Sequence, residues 1–346
     1  MSESLVLSVG TYAGSGGAGI VPLSIGADGT LRAGEAYRSA CNASFAACSA
    51  ASGRGYLVDE MAGMIGVHQR DGASWHELAR VPSGGSAPCY VSLDSAERLL
   101  AVANYESGHV ALFRLGDDGL PEVPPSLFRA PGQGPNAERQ EGPHAHCVRF
   151  APDHSALYAV DLGADRIMRL AIEDGRLGEA TVAWSAPPGS GPRHLLFHPR
   201  LPLAVLLSEL ASTLTLFERR DDGTLSAIQT LSTLPPDFAG DSLGGHLEFD
   251  ASGERIYASN RGHNSIAVFR LQEDRSGGRL ETVCHVPSGG DHPRHFRLME
   301  AAGLGPLLVV AHEQDGQVTV FKLEHDGRPQ RFGEAIVIDG ACCVLC

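Results

Sequence analysis

Apolar runs of strand length recur along the whole chain, each broken by a short polar loop. RLLAVANYESGHVALFRLGDDG, ALYAVDLGADRIMRLAIEDG and RIYASNRGHNSIAVFRLQED show the unit most clearly. LAVLLSELASTLTLFERRDDG and LLVVAHEQDGQVTVFKLEHDG repeat it, as do YLVDEMAGMIGVHQRDG and, with a longer loop, LVLSVGTYAGSGGAGIVPLSIGADG. Each copy reads as an apolar strand, a polar loop, an alternating strand, and a turn ending in Asp-Gly or a close variant. The second strand of the pair begins at Ile20, Ile65, Val110, Ile167, Leu214, Ile266 and Val318, at intervals of 45 to 57 residues. Repeats of that period mean propeller blades with loop insertions.

Another apolar strand precedes the pair in most copies: CYVSLD, HCVRFAPD, HLLFHP, HLEFD and HFRLME. A further one follows the turn, as in EATVAWSA, SAIQTLST and ETVCHVPS. The expected fold is therefore all-β, a seven-bladed β-propeller with four antiparallel strands per blade. One domain is expected over residues 1–346, with no linker. A pair of β-sandwiches is disfavoured because a single unit recurs. The N-terminal copy lacks a clear first strand, and the C-terminal GEAIVID is the candidate to complete it.

Strand direction then predicts where chemistry gathers. In a four-stranded antiparallel blade, the start of the innermost strand and the end of the second lie on the same face. At the inner-strand starts stand Pro88-Cys89-Tyr90, Pro143-His144-Ala145-His146, Pro192-Arg193-His194, Gly245-His246 and Pro293-Arg294-His295. At the second-strand ends stand Asp59-Glu60, Asn104-Tyr105, Asp161-Leu162, Ser208-Glu209, Asn260-Arg261 and His312-Glu313. His144 and His146, two apart in a strand, are expected to share one side. Buried arginine needs a partner, so Arg193 and Arg261 read as ligand-binding groups. Glu209 stands between an apolar strand and a polar loop and joins them as a functional candidate. Asn104 and Asp161 suit Asx turns as well as binding, His198 before Pro199 suits a turn, and His194 and His295 suit a core as well as a site.

Composition narrows the class. The formal net charge of −14 lacks the basic footprint of general nucleic-acid binding. A few arginines still allow a local pocket for a small anion. The 42 glycines fit many tight turns. MSESLVLSVG has neither the basic start nor the apolar stretch of a signal peptide, and no run is long enough to span a membrane, so a cytoplasmic protein with reduced thiols is expected.

Several features are discounted. Gly14–Gly19 (GSGGAG) leads into a strand and reads as a hairpin loop. Cys342-Cys343-Val344-Leu345-Cys346 has no second cysteine pair nearby and reads as a flexible, oxidisable tail. His144-Ala145-His146 lacks a carboxylate cluster, so no metal is expected. The polar stretch 130–145 is long enough to be a functional or mobile loop.

At GPNAERQEGPHAH, VANYESGHVALF, GPRHLLFHP, YASNRGHNSIAVF and HPRHF, with GTY near the N-terminus, the chain resembles the 6-phosphogluconolactonase and carboxymuconate-cyclase family of seven-bladed propellers, the lactonase family. The resemblance covers nearly the whole chain. It implies a cofactor-independent enzyme acting on a lactone ring. It also implies active-site roles for His144 or His146, Arg193, Glu209 and Arg261. Asn104, Tyr105, His194, His246, Arg294 and His295 are the accompanying substrate-binding candidates. His246-Leu247-Glu248 departs from the family pattern, with acid and histidine exchanged, and puts His246 in question.

Hydrolysis of 6-phosphoglucono-1,5-lactone to 6-phosphogluconate is the leading expectation. Glu209 or a histidine of PHAH would be the general base. Arg193 or Arg261 would stabilise the oxyanion, and Arg294 would hold the phosphate. Cyclisation of a carboxylated muconate by the same residues is the alternative. A non-catalytic binding platform is a third reading, disfavoured by the 6% aromatic content. The expected partner is a small anionic lactone, with no cofactor, nucleic acid or membrane; oligomeric state is left open.

Overall fold

The computed structural model describes residues 5–49, 51–72, 74–273 and 277–345. Seven antiparallel sheets follow one another as the blades of a β-propeller, each built on four strands; the seventh carries a short fifth, Ile336–Val337, beside Gln317–Leu323. No α-helix occurs among the described residues; a single 3-10 turn, Ala13–Ser15, lies in the glycine-rich hairpin loop of the first blade. The second strand of each repeat pair starts one residue earlier than the apolar pattern suggests in six copies, at Met64, His109, Arg166, Thr213, Ser265 and Gln317.

The pattern of burial explains the pattern of sequence. The strands next to the innermost ones, such as Ala156–Asp161 and Leu203–Ser208, are buried at every position. A strand covered on both faces reads as an unbroken apolar run. The outermost strand Arg176–Ser185 fully buries only Ala183. The core lies between neighbouring blades: Leu157 and Val160 of the fourth pack in one cluster with Leu195 and Leu206 of the fifth. Truncating such a leucine to alanine costs about 2–5 kcal/mol.

The Asp-Gly turns serve two purposes. Asp28, Asp118, Asp222 and Asp326 each accept the backbone N–H two residues on, at 2.8–3.0 Å, which closes an Asx turn. The glycine carbonyl then takes a hydrogen bond from a tyrosine of the preceding blade: Tyr56 to Gly119, Tyr158 to Gly223, Tyr257 to Gly327, at 2.6–2.8 Å. Gly223 has φ +82°, and a Cβ there would lie 2.4 Å from Arg169 Nε, so both conformation and close approach require glycine.

By their contacts, the residues divide into two compact units, Met1–Ala43 with Leu231–Cys346, and Ser44–Thr230. The first unit holds the closure of the first blade. GEAIVID does not provide its missing strand: Ile336–Val337 pairs instead with Gln317–Leu323 of the seventh blade. The strand is Ala341–Leu345, antiparallel to Leu5–Thr11, with Val344 opposite Val9. Cys342 and Cys343 are 0% and 1% exposed, so the expectation of a flexible tail is corrected for residues 341–345; Cys346 lies outside the described residues. The physical reason is the open edge of Leu5–Thr11, whose backbone groups need partners. His295 Nδ1 helps to fix this strand by accepting the Val344 N–H at 3.3 Å. The second blade also has an inner strand that the pattern did not reveal, the short Ala46–Cys48.

Candidate active site

One backbone device recurs at the start of the inner strands. Pairing with the neighbouring strand slips by a residue between Pro88 and Tyr90, Ala145 and Cys147, Pro192 and His194, and Pro293 and His295. The sixth blade slips between Gly244 and Leu247. The residues left outside the ladder are Cys89, His146, Arg193, Arg294, and the pair Gly245-His246. A β-bulge re-aims one side chain out of the regular alternation. It therefore breaks the period-two argument that placed His144 and His146 on one side: His144 precedes the strand, and His146 is the bulged residue.

Within the unit Ser44–Thr230 these bulges bring the central cluster together. The Glu209 N–H donates to Gly191 O at 2.7 Å, which sets the end of Leu203–Ser208 beside the start of the preceding strand, Pro192–Phe197. Glu209 is 1% exposed, and its carboxylate is held by two arginines. Arg193 Nη1 donates to Oε2, and Arg139 Nη2 donates to Oε1 at 2.6 Å. Arg193 Nη1 also lies 2.5 Å from His146 Nε2. A guanidinium has only donors, so Nε2 presents its lone pair and the imidazole proton sits on Nδ1. That nitrogen faces Cys89 Sγ at 3.8 Å, while the thiol donates to the His146 carbonyl at 3.5 Å.

Aromatic rings wall the cluster. Tyr105 stacks on His144 at 4.5 Å and meets His146 edge-on at 5.4 Å. His194 contacts His146, Tyr90 and Phe45 edge-on at 5.6, 5.3 and 6.0 Å. Burial pushes the Tyr105 phenol above its ordinary pKa, against the pull of Arg139. His144 is held on three sides. Its N–H donates to Asp161 Oδ1 at 2.8 Å, its ring Nδ1–H donates to Tyr105 O at 2.9 Å, and Nε2 lies 3.0 Å from Glu141 Oε1. Burial raises Asp161 above the usual carboxylate range although backbone N–H groups of His144 and Ala164 oppose it. A Cβ on Gly163 would lie 1.9 Å from Gly142 O, so only glycine lets these two loops pass under His144.

Arg139 was not among the expected site residues. It comes from the 130–145 stretch, where Asn136 Oδ1 accepts the N–H groups of Glu138 and Arg139 at 3.1 Å. Gln140, wholly buried, donates to Leu162 O at 2.9 Å and pins the loop. The Arg139 guanidinium also donates to Tyr105 Oη through Nη2 and Nε at 3.2 and 3.3 Å. The available signal was a charged residue between an Asx-turn former and PHAH.

The remaining candidates occupy other places. Asn104 accepts from Ser83 Oγ at 2.6 Å and donates to Ser83 O and His109 O at 3.3 and 3.2 Å, so its amide fastens a strand end. Asn260 makes the same kind of bonds to Thr233. Arg261, His246, Arg294 and His295 belong to the unit Met1–Ala43 with Leu231–Cys346. Arg261 Nη2 donates to Gly244 O at 2.8 Å. Arg294 approaches the Glu313 carboxylate at 3.4 Å and lies over the Tyr12 ring at 5.3 Å. His246 stacks on His295 at 3.9 Å and lies 3.6 Å from Glu248 Oε1. Burial pushes the Glu248 carboxyl up to about 7, despite Arg297 and the Leu298 N–H.

The chain is similar to known proteins over most of its length. The family model described as Lactonase, 7-bladed beta-propeller covers residues 6–346. The 6-phosphogluconolactonase of Bacillus subtilis is 35% identical over 262 residues, 75% of this chain and 73% of the relative. The periplasmic gluconolactonase of Pseudomonas aeruginosa superposes with a TM-score of 0.89 at 27% identity, covering 99% of this chain and 98% of that one. A protein from Lactobacillus plantarum superposes with the same score and identity over 99% of both chains. On the family match and the identity to the Bacillus relative, the chain belongs to the lactonase family of seven-bladed β-propellers.

Proposed function

We propose that this protein is a lactonase, a carboxylic-ester hydrolase that opens a sugar lactone, with 6-phosphoglucono-1,5-lactone as the substrate. The observation that carries the reading is the buried Arg193–Glu209–Arg139 cluster with His146 Nε2 against Arg193. Two relatives with lactonase names support ring opening over cyclisation.

The geometry supports one division of the roles that the sequence left open. Both Glu209 oxygens are engaged by guanidiniums, so Glu209 serves to hold Arg193 and Arg139 in place. His146 is then the general base: Arg193 Nη1 donates to its Nε2 lone pair in the unliganded site, and that lone pair is freed for water when the guanidinium turns to the lactone carbonyl oxygen. Water loses a proton to Nε2 as its oxygen attacks the lactone carbonyl carbon. Negative charge grows on the carbonyl oxygen, and the Arg193 guanidinium stabilises it. When the tetrahedral intermediate collapses, the ring C–O bond breaks and the imidazolium returns its proton to the departing alkoxide. Water and lactone become a hydroxy acid, with no net change in the enzyme.

Acid release from 6-phosphoglucono-1,5-lactone and glucono-1,5-lactone, followed by pH-stat above the uncatalysed rate, tests this. His146→Asn and Arg193→Met should each lower kcat by about 10²–10³. Wild-type rates in both variants would remove the assignment.

A further inference from the structure

We propose that Arg139 recognises the phosphate of a phosphorylated lactone and so sets substrate class; this rests on the lactonase reading above. Arg139 is the solvent-side member of the cluster. Its side chain is 34% exposed, against 5% for Arg193 and 1% for Glu209. One edge of its guanidinium, Nε and Nη2, is committed to Tyr105 and Glu209. Among the described residues, Nη1 makes no hydrogen bond. An arginine fixed along one edge and open along the other presents a donor to an incoming anion at low entropic cost.

Charge points the same way. A single carboxylate sits between two guanidiniums, leaving the trio one net positive charge in a chain of −14. A dianionic phosphate monoester complements it, and the two N–H groups of Nη1 are placed to donate to its oxygens. The loop that carries Arg139 is anchored by Asn136 and Gln140, so the donor is placed before any ligand arrives. Arg294, the sequence-based candidate for this role, faces the Glu313 carboxylate and lies over Tyr12. A guanidinium whose charge is matched by an acid gains less from a second anion.

The test compares kcat/KM for 6-phosphoglucono-1,5-lactone and glucono-1,5-lactone in the wild type, Arg139→Met and Arg139→Lys. The ratio of phosphorylated to plain substrate should fall about 10–100-fold in Arg139→Met, chiefly through KM. It should fall less in Arg139→Lys, which keeps the charge and loses the fixed Nη1 donors. A ratio within about twofold of wild type, with both substrates impaired alike, would mean that Arg139 acts only through Glu209 and would overturn the proposal. If wild-type protein opens neither lactone, the lactonase reading fails. Calorimetric binding of 6-phosphogluconate against gluconate then judges Arg139 separately. A preference for the phosphorylated acid that Arg139→Met abolishes supports the role; no preference, or one that survives the substitution, overturns it.

Discussion

Arg193 Nη1 stands 2.5 Å from His146 Nε2, and this contact decides which imidazole nitrogen carries the proton. Cys89 closes the other side of the ring at 3.8 Å. Sulfur here accepts from Nδ1–H while its own proton goes to a carbonyl, so the thiol reinforces the tautomer that Arg193 sets and holds the ring angle. Cys89→Ala should lower kcat on the order of tenfold, as loss of an outer partner does for imidazoles at metal centres, with KM little changed. Cys89→Ser should restore much of it. Nitrogen-15 spectra of the His146 ring should show Nδ1 protonated in the wild type and a mixture in Cys89→Ala. Identical spectra and rates would assign Cys89 to packing alone.

Glu209→Gln removes the one negative charge between two arginines. Breaking a buried ion pair from one side leaves a charge uncompensated, at about 3–5 kcal/mol. Urea unfolding should report that loss, and kcat should fall with it. Full stability with lost activity would instead mean that the carboxylate itself enters the chemistry.

Glu248 gives a pH dependence of stability with a definite sign. Burial pushes its folded carboxyl up to about 7, above the ordinary glutamate value of 4.5. Between those values the folded chain binds more protons than the unfolded one, so this contribution is present below the ordinary pKa and is lost as pH rises through 7. The loss is on the order of 3 kcal/mol. Glu248→Gln should flatten the decline in unfolding free energy between pH 5 and pH 8. Parallel wild-type and variant curves would refute the shift.

Buried thiols distinguish a closing strand from a tail. In native protein, Cys41, which is exposed, should react with a chromogenic disulfide first. Cys342 and Cys343 should react only after denaturation. Burial also pushes the Cys147 thiol up to about 11, which slows it further. Truncation after Gly340 should broaden or abolish the cooperative thermal transition; an unaltered transition would show the strand to be dispensable.

Repeat count and the strand ends that gather polar side chains were legible because period and strand alternation are written in apolar spacing. That Arg193 and Glu209 share a face followed from strand direction; their direct contact did not. The bulges were not legible: a one-residue slip at Cys89, His146 or Arg193 leaves no mark in hydropathy, yet it decides where His146 aims. Arg139 was hidden because its loop has no period and is ordered by the amides of Asn136 and Gln140 rather than by an apolar pattern. The closing strand was misread because ACCVLC is short, terminal and rich in cysteine, whereas GEAIVID has the better alternation and pairs elsewhere.

The pairing of Leu5–Thr11 with Ala341–Leu345 ties together segments far apart in the chain, with Cys342 Sγ donating to Gly10 O across 332 positions. So non-local a pairing must meet its loop-closure entropy before its contacts reward it, which makes completion of the first blade a late step of folding. Until that step, Leu5–Thr11 keeps an edge open to any other strand, so the rate of closure sets how long the folding chain is exposed to aggregation.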